Sequence, residues 1–173
     1  KARAPEATKQ DIIDVATREF AQNGLSGARV DEIAAKTGSS KRMIYYYFGD
    51  KDGLYLAVLE EAYRKVRTTE AQLDLEHLRP KDALKKLVEF TFDHHHSNEA
   101  FIRLVMIENI HHGDYMARSK TIQDLNVSAI GELERVYQRG VKDGIFRKGL
   151  NAIDLHWQIS ALCTDGLLRA DMV

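Results

Sequence analysis

The chain has a single cysteine, Cys163, and two prolines in 173 residues. One cysteine excludes an intrachain disulfide framework and fits a reducing, cytoplasmic setting. Scarce proline and only 11 glycines leave long stretches uninterrupted, which favours helix. Runs of alternating valine, isoleucine and threonine are missing, so strands are not expected. No stretch approaches the ~18 apolar residues of a membrane span, and no secretory leader pattern is present. Charge of one sign is lacking too: the net charge is −1, which argues against a general polyanion binder. The chain starts at Lys1 rather than methionine, so a preceding segment is expected.

What is present is the composition of a globular protein, 44% hydrophobic and 29% charged, with enough residues for one or two domains. Ile12, Ala16 and Phe20 recur every four residues and predict an amphipathic helix ending at Asn23-Gly24. Val30, Ile33 and Ala34 predict a short second helix stopped by Gly38. Ser39 and Ser40 offer capping oxygens to a third short helix through Phe48, which Gly49-Asp50 breaks. A fourth helix is expected from Lys51 to about residue 75, and a fifth from Pro80. Polar residues 93–99 read as a break or bend. Phe101 to Ile110 continue helical, and Gly113 ends that segment. Ile122, Leu125, Ala129, Leu133 and Val136 mark a long helix. A last helix runs from Ile153 to about Leu168, behind an approximate capping box at Asn151 and Asp154.

Local charge is more informative than the total. Residues 36–51 hold Lys36, Lys41, Arg42 and Lys51 against Asp50 alone, a local +3. This fits a phosphate-facing patch and equally an ordinary solvated face. The second and third helices, joined across Gly38, form a tight helix-turn-helix. A short helix of this kind fits the ~12 Å major groove of DNA. In Lys41-Arg42-Met43-Ile44-Tyr45-Tyr46-Tyr47-Phe48, helical spacing sends Ile44 and Phe48 to the core. Three consecutive tyrosines cannot share one buried face, so at least one hydroxyl is left to reach a phosphate oxygen.

On Val30-Asp31-Glu32-Ile33-Ala34, Gly38, Tyr45-Tyr46-Tyr47-Phe48, Lys51 and Leu54, residues 12–59 resemble the N-terminal domain of the tetracycline-repressor (TetR) family. The resemblance implies an all-α homodimer. Residues 1–53 would form a three-helix DNA-binding domain, and residues 54–173 a larger helical domain for effector binding and dimerisation. The partners implied are a near-palindromic double-stranded DNA operator and a small organic effector, with no cofactor, metal, membrane or catalytic role. The setting would be the cytoplasm, in association with the nucleoid. By the family pattern Tyr45, Tyr47 and Lys51 would hold phosphates, while Lys41, Arg42, Met43 and Tyr46 would sit nearest the base edges. Ser40 belongs to the same surface. Two positions depart from the pattern. Arg29 stands where a capping Thr or Ser is usual, and is expected to lose the cap but supply a charged phosphate contact. Ser39 replaces a more common apolar residue.

The second domain is less legible. Phe101-Ile102-Arg103-Leu104-Val105, Glu108-Asn109-Ile110-His111 and Gly144-Ile145-Phe146-Arg147 resemble one broad subgroup of these regulators, which names no ligand. The effector cavity is expected between the fourth and eighth helices. Its lining would draw on Phe101, Met106, Glu108, His111, Tyr115, Tyr137 and Trp157 and suit an aromatic or acidic organic molecule. Trp157, Tyr137, Tyr115 and Met106 are otherwise plain core. His94-His95-His96 point about 100° apart on a helix, so they cannot converge on one metal ion, and a polar helix end is expected there. An enzyme would need a nucleophile–base pair or a metal cluster. Neither is readable, and Cys163 sits in an apolar run. An adaptor that has lost DNA binding is a third reading, opposed by Lys51 and the tyrosines. The last two long helices are expected to pair across a two-fold axis as a four-helix bundle. The abrupt polar turn at Thr164-Asp165-Gly166 reads as a join between two separate segments, or as a short natural tail.

Overall fold

In the computed structural model residues 5–170 are described, with side chains to residue 164. The apolar stripe of the first helix does what its spacing requires: Ile12, Ala16 and Phe20 are all fully buried. This helix, α1, spans Pro5–Gly27, with a kink at Gly24, whose φ of 70° and ψ of 175° leave the helical region. The expected stop at Asn23-Gly24 is therefore a kink followed by one more short turn.

The helices that follow are α2 (Val30–Thr37), α3 (Lys41–Phe48) and α4 (Lys51–Glu70). Two 3-10 turns, Ala71–Leu73 and Leu75–His77, then lead to α5 (Pro80–Ser97) and α6 (Glu99–Ile110). The remaining helices are α7 (Asp114–Arg118), α8 (Lys120–Lys142) and α9 (Ala152–Ala170). No strand occurs among the described residues, and the architecture is all-α. No described helix is long and apolar enough to cross a membrane.

Three sequence expectations need correction. Residues 93–97 continue α5, because His95 turns inward and is buried, and the helix ends only at Asn98. The stretch before α8 contains a short separate helix, α7. Finally, α9 passes through Cys163–Thr164 without interruption. Thr164 Oγ1 donates to the Ser160 carbonyl at 2.8 Å, so the polar residue is absorbed by back-bonding within the helix.

The described residues form two compact units. The first holds the chain up to Tyr63 together with Ala100–Thr121. Its core includes Phe20, Ile33, Ile44, Leu54 and Tyr55, all fully buried, with the Phe20 and Tyr55 rings edge-on at 5.0 Å. The second holds Arg64–Glu99 and the chain from Ile122 onward. There Leu75, Ala83, Leu87, Leu133 and Val136 form the core, with Leu84, Leu155 and Ile159 packed on it. Burying each large apolar side chain contributes about 1.5–3 kcal/mol, which makes these stripes the main source of stability.

Candidate functional site

The turn between α2 and α3 is built by two local devices. Gly38 adopts a left-handed φ of 63°, and Ser39 N–H donates back to the Ala34 carbonyl at 3.1 Å, which closes the end of α2. Ser40 then caps α3, its Oγ accepting from Met43 N–H at 3.1 Å. Ile44 is fully buried and anchors α3 to the core. Phe48 is half-buried, with the Lys9 ammonium 6.0 Å from its ring centroid.

The opposite face of α3 is bare. Lys41, Arg42, Met43, Tyr45 and Tyr46 are exposed, Tyr46 to 80%. Tyr47 is half-buried, its ring edge-on to Tyr46 at 5.5 Å. Lys41 pairs with Asp31 of α2 at 3.1 Å, an exposed contact that is readily exchanged for a phosphate. Lys51 Nζ donates to the Ser26 carbonyl at 3.1 Å, which ties the start of α4 to the end of α1. The structure thus leaves Lys41, Arg42, Met43 and Tyr46 exposed along one short helix, with Ser40 exposed at its cap. Tyr45, Tyr47 and Lys51 stand within the same helix or its flank, and Arg29 is exposed just before α2.

The residues expected to line an effector cavity divide between the units. In the first, Phe101 packs its ring on Tyr63 at 5.4 Å, and Met106 is half-buried. Glu108 is buried and accepts from Met116 N–H at 3.1 Å. Tyr115 packs edge-on to Tyr55 at 5.1 Å and donates to Asp52 at 3.0 Å. Burial, with the Asp52 hydrogen bond and charge, pushes the Tyr115 hydroxyl above its ordinary pKa. His111 is exposed. In the second unit, Tyr137 is buried. Its hydroxyl donates to the Arg147 carbonyl at 2.8 Å and accepts from Leu150 N–H at 3.0 Å, so it fastens the α8–α9 connection. Trp157, expected inside, is 70% exposed on the outer side of α9. A groove of about 350 Å³ in the second unit runs along Glu132, Arg135, Val136 and Arg139 of α8 and is walled by Leu75 and Glu76. It contains none of the seven residues.

The histidine run is more than a polar helix end. His96 is exposed, but His94 is half-buried and His95 buried. Burial and the Arg67 charge lower the His94 pKa, and His95 is held at about 4 by burial, His94 and Arg67. No cluster of metal-binding side chains forms among the described residues.

Residues 12–58 match the family described as bacterial regulatory proteins, tetR family. Residues 80–172 match the tetracyclin repressor-like C-terminal domain. The chain belongs to the TetR family. It is 32% identical over 163 residues to the HTH-type transcriptional repressor NicS of Pseudomonas putida, covering 94% of this chain and 77% of NicS. It is also 36% identical over 114 residues to the HTH-type transcriptional repressor SCO4008 of Streptomyces coelicolor, covering 65% of this chain and 55% of that one. Among solved structures, the regulator SCO4942 of Streptomyces coelicolor superposes with a TM-score of 0.72 at 24% identity, over 95% of this chain and 82% of its own. FadR of Bacillus subtilis, solved with stearoyl-CoA, gives 0.73 at 18% identity over 95% and 89%.

Within this TetR-family chain, the departure at Arg29 has a structural answer. Arg29 precedes α2 with no side-chain cap. The buried carboxylate of Glu19, on α1, accepts instead from Arg29 N–H at 3.4 Å, Asn23 Nδ2 at 2.9 Å and Lys36 Nζ at 3.1 Å. Burial alone would raise the Glu19 pKa, but these hydrogen bonds and the Lys36 charge hold it below the ordinary carboxylate value. Glu19 was not legible as a functional support because its three partners come from α1, the turn and α2. A depressed folded pKa adds stability above the ordinary carboxyl range and loses it as pH falls through the folded pKa. Glu19→Gln is therefore expected to cost about 1–2 kcal/mol at neutral pH. The difference should shrink as the pH drops below 4.5 toward the folded pKa. Urea denaturation of both proteins across that range checks it, and a pH-independent difference would refute the carboxylate's role.

Proposed function

We propose that the chain is a homodimeric repressor that leaves its operator when a small organic effector binds. The observation that carries the reading is the bare face of α3. Lys41, Arg42, Met43 and Tyr46 project from a helix that is capped at Ser40 and anchored by Ile44. Arginine can read guanine bidentately in the major groove, and tyrosine hydroxyls and lysines hold phosphates. Two copies must space their α3 helices about 34–36 Å apart, or a multiple, to enter successive major grooves. The effector acts only if it favours a different spacing. The repressor names of NicS and SCO4008 support the direction of regulation. FadR, solved with an acyl-CoA, supports a ligand-responsive helical domain. No catalytic role is assigned: Cys163 is buried, and burial pushes its thiol pKa up, away from a reactive thiolate.

The test is a gel shift against the DNA flanking the chain's own gene, with random DNA as competitor. Specific retention is expected. Lys51→Ala and Tyr47→Phe should weaken binding to both DNAs alike, because phosphate contacts carry no base information. Arg42→Ala should relax preference at particular positions, at about 1–3 kcal/mol for a lost base contact. Equal loss on specific and random DNA would remove Arg42 from base reading, and no retention at all would sink the repressor reading.

A further inference from the structure

In the second unit an arginine side chain is largely buried among polar partners. The Arg67 side chain, on the last turns of α4, is only 14% exposed. Its Nη1 donates to Glu70, its Nη2 lies 3.3 Å from His156 Nε2, and its Nε and Nη2 both reach Asn126 Oδ1, at 3.2 and 3.0 Å. His95 and Thr164 form a second pair, with His95 Nδ1 3.3 Å from Thr164 Oγ1.

The proton positions follow from the partners. Arginine only donates, so His156 Nε2 accepts and its proton sits on Nδ1. The Thr164 hydroxyl spends its proton on the Ser160 carbonyl, so its oxygen accepts from His95 Nδ1–H. Burial and the Arg67 charge hold both imidazoles near pKa 4, hence neutral. Glu70 balances Arg67, and the group as a whole carries no net charge.

One edge of the guanidinium meets only neutral partners. Nε and Nη2 form the edge on which a carboxylate docks with two parallel hydrogen bonds, and such charge-assisted bonds are about twice as strong as those to a neutral acceptor. Here that edge is spent on one amide oxygen. Asn126 belongs to a different helix, α8, and its side chain can rotate away without unfolding either element. With Glu70 already on Nη1, a phosphate dianion would bring two unmatched charges into this group and a carboxylate only one, which favours the monoanion. The same unit holds an apolar core of Leu75, Ala83, Leu87, Leu133 and Val136, which suits the apolar body of an organic acid.

We infer that Arg67 anchors the carboxylate of a small organic acid, which takes the Nε/Nη2 edge in place of the Asn126 oxygen. This names the chemical class of the effector and rests on the ligand-responsive reading above.

Calorimetric titration of the full chain with benzoate and hexanoate, each against its neutral amide, tests it. The acids are expected to bind at least about tenfold more tightly than benzamide and hexanamide. Arg67→Lys keeps a cation for Glu70 but loses the two-pronged edge, so it should lower acid affinity about tenfold and leave amide affinity unchanged. Asn126→Ala should retain acid binding. Amides binding as well as acids, no acid binding, or full acid affinity in Arg67→Lys would each overturn the anchor; the contrast in the unaltered protein needs no variant to fold. The same solutions run in the gel shift separate the two readings. Release of DNA by a non-acid ligand would refute the anchor alone. Acid binding through Arg67 with no change in operator affinity would keep the anchor and refute effector-driven release.

Discussion

Trp157→Arg is expected to convert the proposed dimer to a folded monomer and to lower operator affinity by about a hundredfold or more. Trp157 is the chain's only tryptophan and is 70% exposed on α9. Ile153, one turn earlier on the same face of this helix, and Val127 of α8 are also more than half exposed. Exposed large apolar side chains on the last two long helices mark an interaction surface, and tryptophan is a residue type that dominates such interfaces. Arginine there brings two like charges toward the two-fold axis and leaves each without a partner. The loss on DNA follows from linkage. Joining two reading heads makes the second contact intramolecular, a gain of about 10²–10⁴ that a monomer forfeits. Light scattering at micromolar concentration, with an operator titration, checks both halves. The lone tryptophan gives an independent signal, since its fluorescence should shift to the red when the unaltered protein is diluted into monomers. A variant that stays dimeric, or a monomer that binds the operator undiminished, would show that α9 is not the interface.

The DNA-reading part of the chain was legible because its rules are local. Gly38 stops α2, Ser40 caps α3, and the four-residue spacing of Ile44 and Phe48 orients the helix, all within about ten residues. Arg29 was read correctly as a lost cap, but its replacement lies ten residues back at Glu19, a separation at which no spacing rule operates. The polar centre of the second unit was invisible for the same reason. Asn126 and His156 lie 59 and 89 residues from Arg67 along the chain, and each alone is an ordinary polar residue on an amphipathic helix. Polarity misled at residues 93–97, since a buried partner on α9 lets His95 continue α5 inward. At Trp157 hydrophobicity indicated burial without saying against what. A single chain leaves that residue at the surface.

Gly53→Ala separates local propensity from packing more sharply, because the two give opposite signs. Gly53 lies in the first turn of α4, where replacing glycine by alanine in a helix ordinarily stabilises by about 1 kcal/mol. Its surroundings forbid the gain. A Cβ built on Gly53 would sit 2.0 Å from the Phe48 carbonyl oxygen and 3.2 Å from its carbon. The obstacle is backbone and cannot rotate aside. Asp50 fixes the same turn, its Oδ1 accepting from Gly53 N–H at 2.7 Å and its carbonyl from Leu54 N–H at 3.0 Å. Gly49, at φ 81°, turns the chain sharply between the helices. Relief therefore requires the last turn of α3 to shift against α4, which carries Tyr45 and Tyr47 with it. A destabilisation of about 3 kcal/mol is expected, together with weaker binding to specific and random DNA. Gly27→Ala is the control, since its Cβ would meet only Asn23 Cβ at 3.5 Å, an ordinary contact, and should be neutral or slightly stabilising. Denaturation of the three proteins at one fixed concentration, which holds any dimer contribution constant, decides the matter. A Gly53→Ala protein as stable as the parent would mean that α3 and α4 are joined with more room than the turn shows, and that propensity alone governs this position.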